Sequence, residues 1–293
     1  MNYIAVVHDD HHPLLDQVAA MIESHGAKCA LVPWTNLMFE ISPTGVSCTS
    51  LATFDAVFLD RVGERFRSYH TQLDLLALSD AARRTVNDPT SYRVARDKAL
   101  AQHAMVRAGL PVPEARVTTG SASAVVGLAE AVALKSTLGV CAEEVWLGPA
   151  AEALSHLDSI LRHDGMALVQ SGVDNPTRSI WRVDVVDGVA VTVNQRYAAT
   201  ADGPPLVNGS HGGKVEFHDP QDASVAAQVA LAIEASTAMR LAVSGVDMIE
   251  TADGSLMLLE TNPEPDATDH PDLTDVLPEA IADLLLRTAT RAR

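Results

Sequence analysis

The stretch from Ser244 to Pro263 constrains this chain more than any other. Ser244-Gly-Val-Asp247 and Leu258-Leu-Glu260-Thr-Asn262-Pro263 read as two short β-strands, and Ala252-Asp253-Gly254 between them is an Asp-Gly hairpin turn. Strand side chains alternate between faces, so Glu260 and Asn262, two apart, share one face. Asp247 opens the partner strand and reaches the same face. Three hard oxygen ligands without thiolate or imidazole suit Mg²⁺, which takes one or two carboxylates and leaves its other positions to waters and phosphates. Taken alone, the same residues also read as an acidic surface hairpin. Residues upstream shift the balance.

The 293 residues allow two or three small domains and a sizeable core. With 47% apolar residues but only 4% aromatic ones, that core must be built from Ala, Val and Leu. No apolar run reaches about 18 residues, so no membrane helix is expected. The start, Met1-Asn-Tyr-Ile-Ala-Val-Val, has neither the basic flank nor the cleavage site of a signal peptide. A net charge of −17 repels phosphate backbones and anionic lipid, so neither nucleic acid nor membrane is an expected partner. Cys29, Cys48 and Cys141 are isolated and odd in number, which points to a reducing, cytoplasmic compartment.

Along the chain, strands at Tyr3–Val7, Lys28–Val32 and Ala56–Asp60 alternate with a helix at Leu14–Ser24 that ends at Gly26. This order predicts a small parallel-sheet α/β unit over residues 1–60. After a strand end and turn at Val86-Asn-Asp-Pro89, one helix is expected from Ser91 to Ala108, stopped by Gly109 with Pro111 and Pro113 beyond. A strand at Val117-Thr-Thr, a short helix at Val125–Ala131 and a strand at Ala131–Lys135 follow. Then come a helix at Ala150–Arg162 and a strand at Met166–Gln170. Ser179–Tyr197 alternates around Asp187-Gly188 as a hairpin, and Ala199–Pro205 reads as a loop. Helices at Ala223–Met239 and Leu277–Ala289 complete the pattern.

Only four of the 21 basic residues are lysines: Lys28, Lys98, Lys135 and Lys214. Lys135 ends an apolar strand ahead of a Gly139 loop, a place for a point charge aimed at phosphate oxygens. Lys98 stands one turn after Tyr92-Arg93. Each lysine by itself also reads as an ordinary solvated side chain. Val169-Gln170-Ser-Gly-Val173-Asp174 is a strand running into a bend. Its backbone could bond a flat heterocycle and Asp174 could accept from ribose hydroxyls; a plain strand and turn is the equal alternative. Arg182 and Arg196 flank the Asp187-Gly188 turn on antiparallel strands, where two guanidinium forks clamp phosphate or carboxylate or simply pair with Asp184. Asn208-Gly-Ser-His211-Gly-Gly-Lys214 is a glycine-rich loop open to close backbone approach.

In this order the elements resemble the ATP-grasp superfamily, nearest to its small carboxylate–amine ligases. The carrying segments are Phe54-Asp-Ala-Val-Phe-Leu-Asp-Arg61; Val86-Asn-Asp-Pro89 with Arg96-Asp-Lys98 and Ala108-Gly-Leu-Pro-Val-Pro113; Ala133-Leu-Lys135 with Gly139; Val169-Gln170; Asn208 with Gly212-Gly213; and Gly245-Val-Asp247 with Leu259-Glu260-Thr-Asn262. The resemblance implies an α/β (α+β) ATP-grasp fold. It comprises a pre-ATP-grasp parallel-sheet domain (1–90), a helix plus a small central lid (91–170) and a C-terminal antiparallel-sheet domain (171–293). It implies ATP as nucleotide, with Lys98 and Lys135 on its phosphates and Gln170, Val173 and Asp174 at adenine and ribose. Asp247, Glu260 and Asn262 would hold one or two Mg²⁺ ions, for which Mn²⁺ could substitute. Arg182, Arg196 and Asn208 would steady the transferred phosphoryl group. The expected partners are a small-molecule carboxylate and amine, in a homodimer or homotetramer.

The chain also departs from the family pattern. The lid keeps Gly139 but reads Gly139-Val-Cys-Ala-Glu-Glu144, with fewer glycines and more acid. Ser171 replaces an acidic residue after the hinge glutamine. Pro263-Glu-Pro-Asp266 replaces a small-residue turn, which would let Glu264 and Asp266 meet an amine-bearing substrate or stand solvated. The implied chemistry activates a carboxylate as an acyl-phosphate and gives it to an amine. Joining two molecules and closing a ring within one are both open. Two other readings stand: a nucleotide-binding protein without catalysis, and a metal module on His8-Asp-Asp-His-His12. That tract alternatively contacts substrate.

Overall fold

The computed structural model describes residues 1–62, 69–120, 122–138, 145–198, 214–265 and 275–291. The N-terminal unit runs β1 (Tyr3–His8), α1 (Pro13–Ser24), β2 (Lys28–Pro33), β3 (Phe39–Ser42), β4 (Gly45–Cys48), β5 (Ala56–Asp60), α2 (Tyr69–Leu78) and β6 (Thr85–Val86). Its sheet has the order β2-β1-β5-β6, and every pairing is parallel. Strands buried on both faces read as continuous apolar runs, and β1 and β5 do. Ile4, Val6, Ala56 and Phe58 face one core with Leu14, Leu15, Val18 and Ile22 of α1. Ala5, Val7, Val57 and Leu59 face another with Trp34, Leu51, Leu73 and Tyr92. The β3–β4 hairpin and α2 were not foreseen, being short and without a marked period.

Two helices follow, α3 (Pro89–Arg96) and α4 (Lys98–Arg107). The single helix expected over Ser91–Ala108 is therefore broken. Asp97 is extended (φ −94°, ψ 108°) and caps α4, its carboxylate accepting from Ala99 N (2.9 Å) and Leu100 N (3.1 Å). Short acidic side chains compete for backbone N–H groups in this way. Asp88 caps α3 similarly, with Pro89 in its first turn.

The central unit comprises β7 (Ala115–Thr118), β8 (Ala131–Ser136), β9 (Val145–Pro149), α5 (Ala153–Asp164) and β10 (Ala167–Ser171), with antiparallel sheet order β7-β10-β8-β9. The helix expected at Val125–Ala131 is absent: turns run through Gly127, whose φ of +71° a helix cannot hold. Val132, Leu134 and Val169 pack on Leu157 and Ile160 of α5. Ala133, Lys135, Leu168 and Gln170 take the opposite face by alternation.

The C-terminal unit holds β11 (Ser179–Val186), β12 (Val189–Tyr197), β13 (Val215–His218), α6 (Ala226–Met239), β14 (Val243–Glu250), β15 (Leu256–Asn262) and α7 (Val276–Arg291). Its antiparallel sheet is ordered β13-β12-β11-β14-β15. One face, with Trp181, Val183, Val185, Val193, Val246, Met248 and Leu258, covers α6 and α4. The other face carries buried polar side chains. α7 returns to the N-terminal sheet, where Leu277, Ile281 and Leu285 join the core of α1. Among the described residues no helix is long and apolar enough to cross a membrane.

Candidate active site

The polar face of the C-terminal sheet is the candidate site. Strand register sets Asn194, Arg182, Asp247 and Glu260 in one row across β12, β11, β14 and β15. Thr192, Asp184, Gly245 and Asn262 form the row beside it. Asp247 and Glu260 are thus direct partners, a closer placement than the hairpin alone implied. A β-bulge helps: Asp247 pairs with Glu260 but Met248 with Leu258, leaving Leu259 as the extra residue. Leu259 and Glu260 consequently both line one small cleft, together with Ala95, Lys98, Ala101, Met105, Lys135 and Leu168.

Arg182 is 4% exposed and held at every nitrogen. Its Nε donates to Asp184 Oδ1 (3.1 Å), Nη1 to Asp247 Oδ2 (3.0 Å) and Nη2 to the Glu264 carbonyl (2.9 Å). Asp184 is occupied in turn by Thr192 Oγ1 at 2.6 Å. The guanidinium lies across Gly245, where a Cβ would come within 1.7 Å of Nη2. Glycine stands there for close approach and not for a special φ. Arg196 is buried on the same face, two residues from Asn194, and donates Nε to Asn194 Oδ1 (2.9 Å).

The lysines converge from two other elements. Lys98, the first residue of α4, sets Nζ 3.8 Å from Glu260 Oε2, and its backbone N donates to Thr137 O (2.9 Å) beyond the end of β8. Lys135 is 8% exposed. Burial pulls its pKa down, partly offset by Glu260, while Lys98 adds to the depression. Burial alone would raise the Glu260 carboxyl, but Lys98 and Lys135 outweigh it and hold it below its usual value. Burial raises Asp247, with Glu260 adding to the rise and Arg182 opposing it.

Two facing carboxylates, one with an elevated pKa, form a site where a divalent cation relieves repulsion. Asn262 donates Nδ2 to Asp247 Oδ2 (3.2 Å) and keeps its amide oxygen as a further hard ligand. The donor set therefore fits Mg²⁺ shared with phosphates. Among the described residues no three His, Cys, Asp or Glu side chains are arranged to hold an ion by themselves, and that includes the His8–His12 tract.

The remaining expected residues divide. Gln170 lies on the central-sheet face shared with Lys135, but its side chain donates to Gln102 Oε1 (2.9 Å), and Gln102 donates to Pro113 O (2.6 Å). Val173 is half-buried and Asp174 exposed, just past the close approach of Gly172 N to Ala131 O (2.7 Å). Asn208, the Gly139–Glu144 lid loop, the Ala199–Pro205 loop and Asp266 lie outside the described residues. Glu264 does not stand solvated. Tyr92 Oη donates to its carboxylate, and Arg96 Nη1 pairs with it at 3.0 Å. The expected pairing of Asp184 holds for Arg182. Tyr92 and Arg96 went unassigned as site residues, because nothing local ties them to Glu264.

A match to the RimK-like ATP-grasp domain covers residues 95–277, more than half of the chain. The chain belongs to the RimK-like ATP-grasp family. The chain is 30% identical over 222 residues to the tetrahydromethanopterin:alpha-L-glutamate ligase of Methanosarcina acetivorans. That match spans 69% of this chain and 65% of the relative, so just under two thirds of the relative is represented. In fold it is similar to D-cycloserine synthetase DcsG, with TM-score 0.73, 21% identity and coverage of 97% and 100% of the two chains. The RimK domain ATP-grasp protein of Sphaerobacter thermophilus superposes with TM-score 0.69 and 21% identity, over 97% and 99%.

Proposed function

We propose that this chain is an ATP-dependent carboxylate–amine ligase that forms an amide bond on a small molecule through an acyl-phosphate. The observation that carries the reading is Glu260 facing Lys98 and Lys135 across one cleft, in register with Asp247 and Arg182. A carboxylate is a poor electrophile because its leaving group would be hydroxide or oxide. Transferring the γ-phosphoryl group of ATP makes phosphate the leaving group, and an amine then displaces it. The first step asks a protein for positioning and charge neutralisation, not for a nucleophile.

Each residue has a part in that chemistry. Lys98 and Lys135 hold phosphate oxygens from the helix and lid sides. Arg182 and Arg196, with Asn208, steady the phosphoryl group in flight. Asp247, Glu260 and Asn262 would hold one or two Mg²⁺ ions, which supply charge neutralisation at the phosphates. The apolar wall of Ala95, Ala101, Met105, Leu168 and Leu259 excludes water, which would otherwise compete with the acceptor. Gln170 fixes the strand end against α4, which supports an adenine and ribose site at Val173 and Asp174.

The test is phosphate release from ATP and Mg²⁺ against a panel of acids and amines that begins with L-glutamate. Release is expected only when an acid and an amine are both present, or when one molecule carries both. Glu260→Gln should lower the rate at least ~10²-fold, and EDTA should abolish it. ATP hydrolysis indifferent to both substrates would sink the reading.

A further inference from the structure

A second polar cluster stands at the carboxyl ends of the first parallel strands. His8 ends β1 and is the register partner of Asp60, which ends β5. His12, just before α1, sets Nε2 2.7 Å from Asp60 Oδ2. Asp60 is 0% and His8 7% exposed. Among the described residues, Asp60 Oδ1 and His8 Nδ1 are buried and meet no hydrogen-bond partner. A buried polar group without a partner calls for an explanation, and a missing ligand is one. His11 sets its ring edge-on to His8, with centroids 6.0 Å apart, and pairs with exposed Asp16 at 2.9 Å.

Burial, then the neighbouring His11 and His12, hold His8 below the ordinary imidazole range, with Asp60 and Asp9 pulling the other way. His8 therefore favours the uncharged ring, which can accept a hydrogen bond. Open parallel sheets bind ligands at this end of their strands. The cluster is also joined to the phosphate face. Val62 N, two residues beyond Asp60, donates to Tyr92 Oη at 3.1 Å. Tyr92 donates to Glu264, whose carbonyl accepts from Arg182.

We propose that His8, His12 and Asp60 receive the amine of the acceptor, with His12, oriented by Asp60, as the base that takes its proton. This rests on the ligase reading above and deepens it. An ammonium donates one N–H to Asp60 Oδ1 and one to His8 Nδ1, satisfying both orphaned atoms. One ammonium proton passes to the His12 imidazole. The freed nitrogen lone pair forms the C–N bond as the C–O bond to phosphate breaks; its electron pair leaves with phosphate, which takes the nitrogen's remaining surplus proton and departs as hydrogen phosphate, leaving a neutral amide. A buried carboxylate that orients an imidazole is a recurring arrangement for proton transfer.

The test uses the full-length protein with Mg²⁺ and ADP, titrated with methylammonium chloride while histidine side-chain NMR signals are followed. Tetramethylammonium chloride, which has no N–H to donate, serves as the control at equal ionic strength. The His8 and His12 signals should move saturably with methylammonium alone, and Asp60→Asn should weaken that affinity about tenfold, the size of one charge-assisted hydrogen bond. If Asp60→Asn fails to fold, His12→Gln reads the same loss. No saturable shift in the wild type, an equal response to tetramethylammonium, or unchanged affinity in the variants overturns the proposal. The readout needs no turnover. Methylammonium binding with no acid-and-amine dependence of phosphate release would sink the ligase reading alone, and the reverse would sink this site alone.

Discussion

At the scale of single residues, the site depends on a missing side chain as much as on the charged ones. Gly245 leaves room for the Arg182 guanidinium, which reaches Asp184, Asp247 and Glu264 from that position. Gly245→Ala would drive Arg182 off all three. We expect phosphate release to fall about 10²-fold and stability by about 1–3 kcal/mol from overpacking. Steady-state kinetics and urea unfolding check both, and a wild-type rate would show that Arg182 has another way to its partners. A buried carboxylate stripped of its cation is costly, so Asp247 should suffer more than the loss of one contact suggests.

At the scale of elements, the break between α3 and α4 matters most. A continuous helix would carry Lys98 past the cleft. Asp97 stops α3, caps α4 and lets Lys98 N bond Thr137 O beyond β8. Asp97→Ala removes two capping bonds and should cost about 1 kcal/mol. A fall of a few degrees in melting temperature, with a raised KM for ATP, is the expected outcome. A drop in stability without a change in KM would show that the cap does not position Lys98. The sequence contained this break as Arg96-Asp97-Lys98, but helical periodicity on both sides masked it. The bulge at Leu259 is similar: the strand was legible, while the extra residue that turns Leu259 and Glu260 into one cleft was not.

At the scale of the whole molecule, the chain's two ends are tied together. α7 shares its core with α1 beneath the N-terminal sheet. Asn87 is fully buried and clasps the C-terminal unit. Its Nδ2 donates to Val243 O (2.7 Å) and Pro263 O (3.1 Å), while Oδ1 accepts from Ala242 N (2.7 Å) and Val243 N (2.8 Å). This one side chain fixes both the start of β14 and the residue after Asn262. Asn87→Ala should therefore destabilise by about 3 kcal/mol and weaken Mg²⁺-nucleotide binding, read by urea unfolding and by calorimetry. Nucleotide affinity equal to wild type in the folded variant would limit Asn87 to a purely structural part.

By itself, the sequence determined what local periods encode. The two-residue alternation of Glu260 and Asn262, the Asp-Gly turn, the strand ending at Lys135 and the unbroken apolar runs of β1 and β5 all express interactions between near neighbours. Only the tertiary structure decided the rest. It placed Arg182 over Gly245, turned Glu264 from a free carboxylate into the partner of Tyr92 and Arg96, and set His12 against Asp60. It also brought α7 back to the first sheet. These contacts join residues tens to hundreds of positions apart, and no period along the chain records them. They form because a buried charge or apolar face must find whichever partner the folded topology brings within reach.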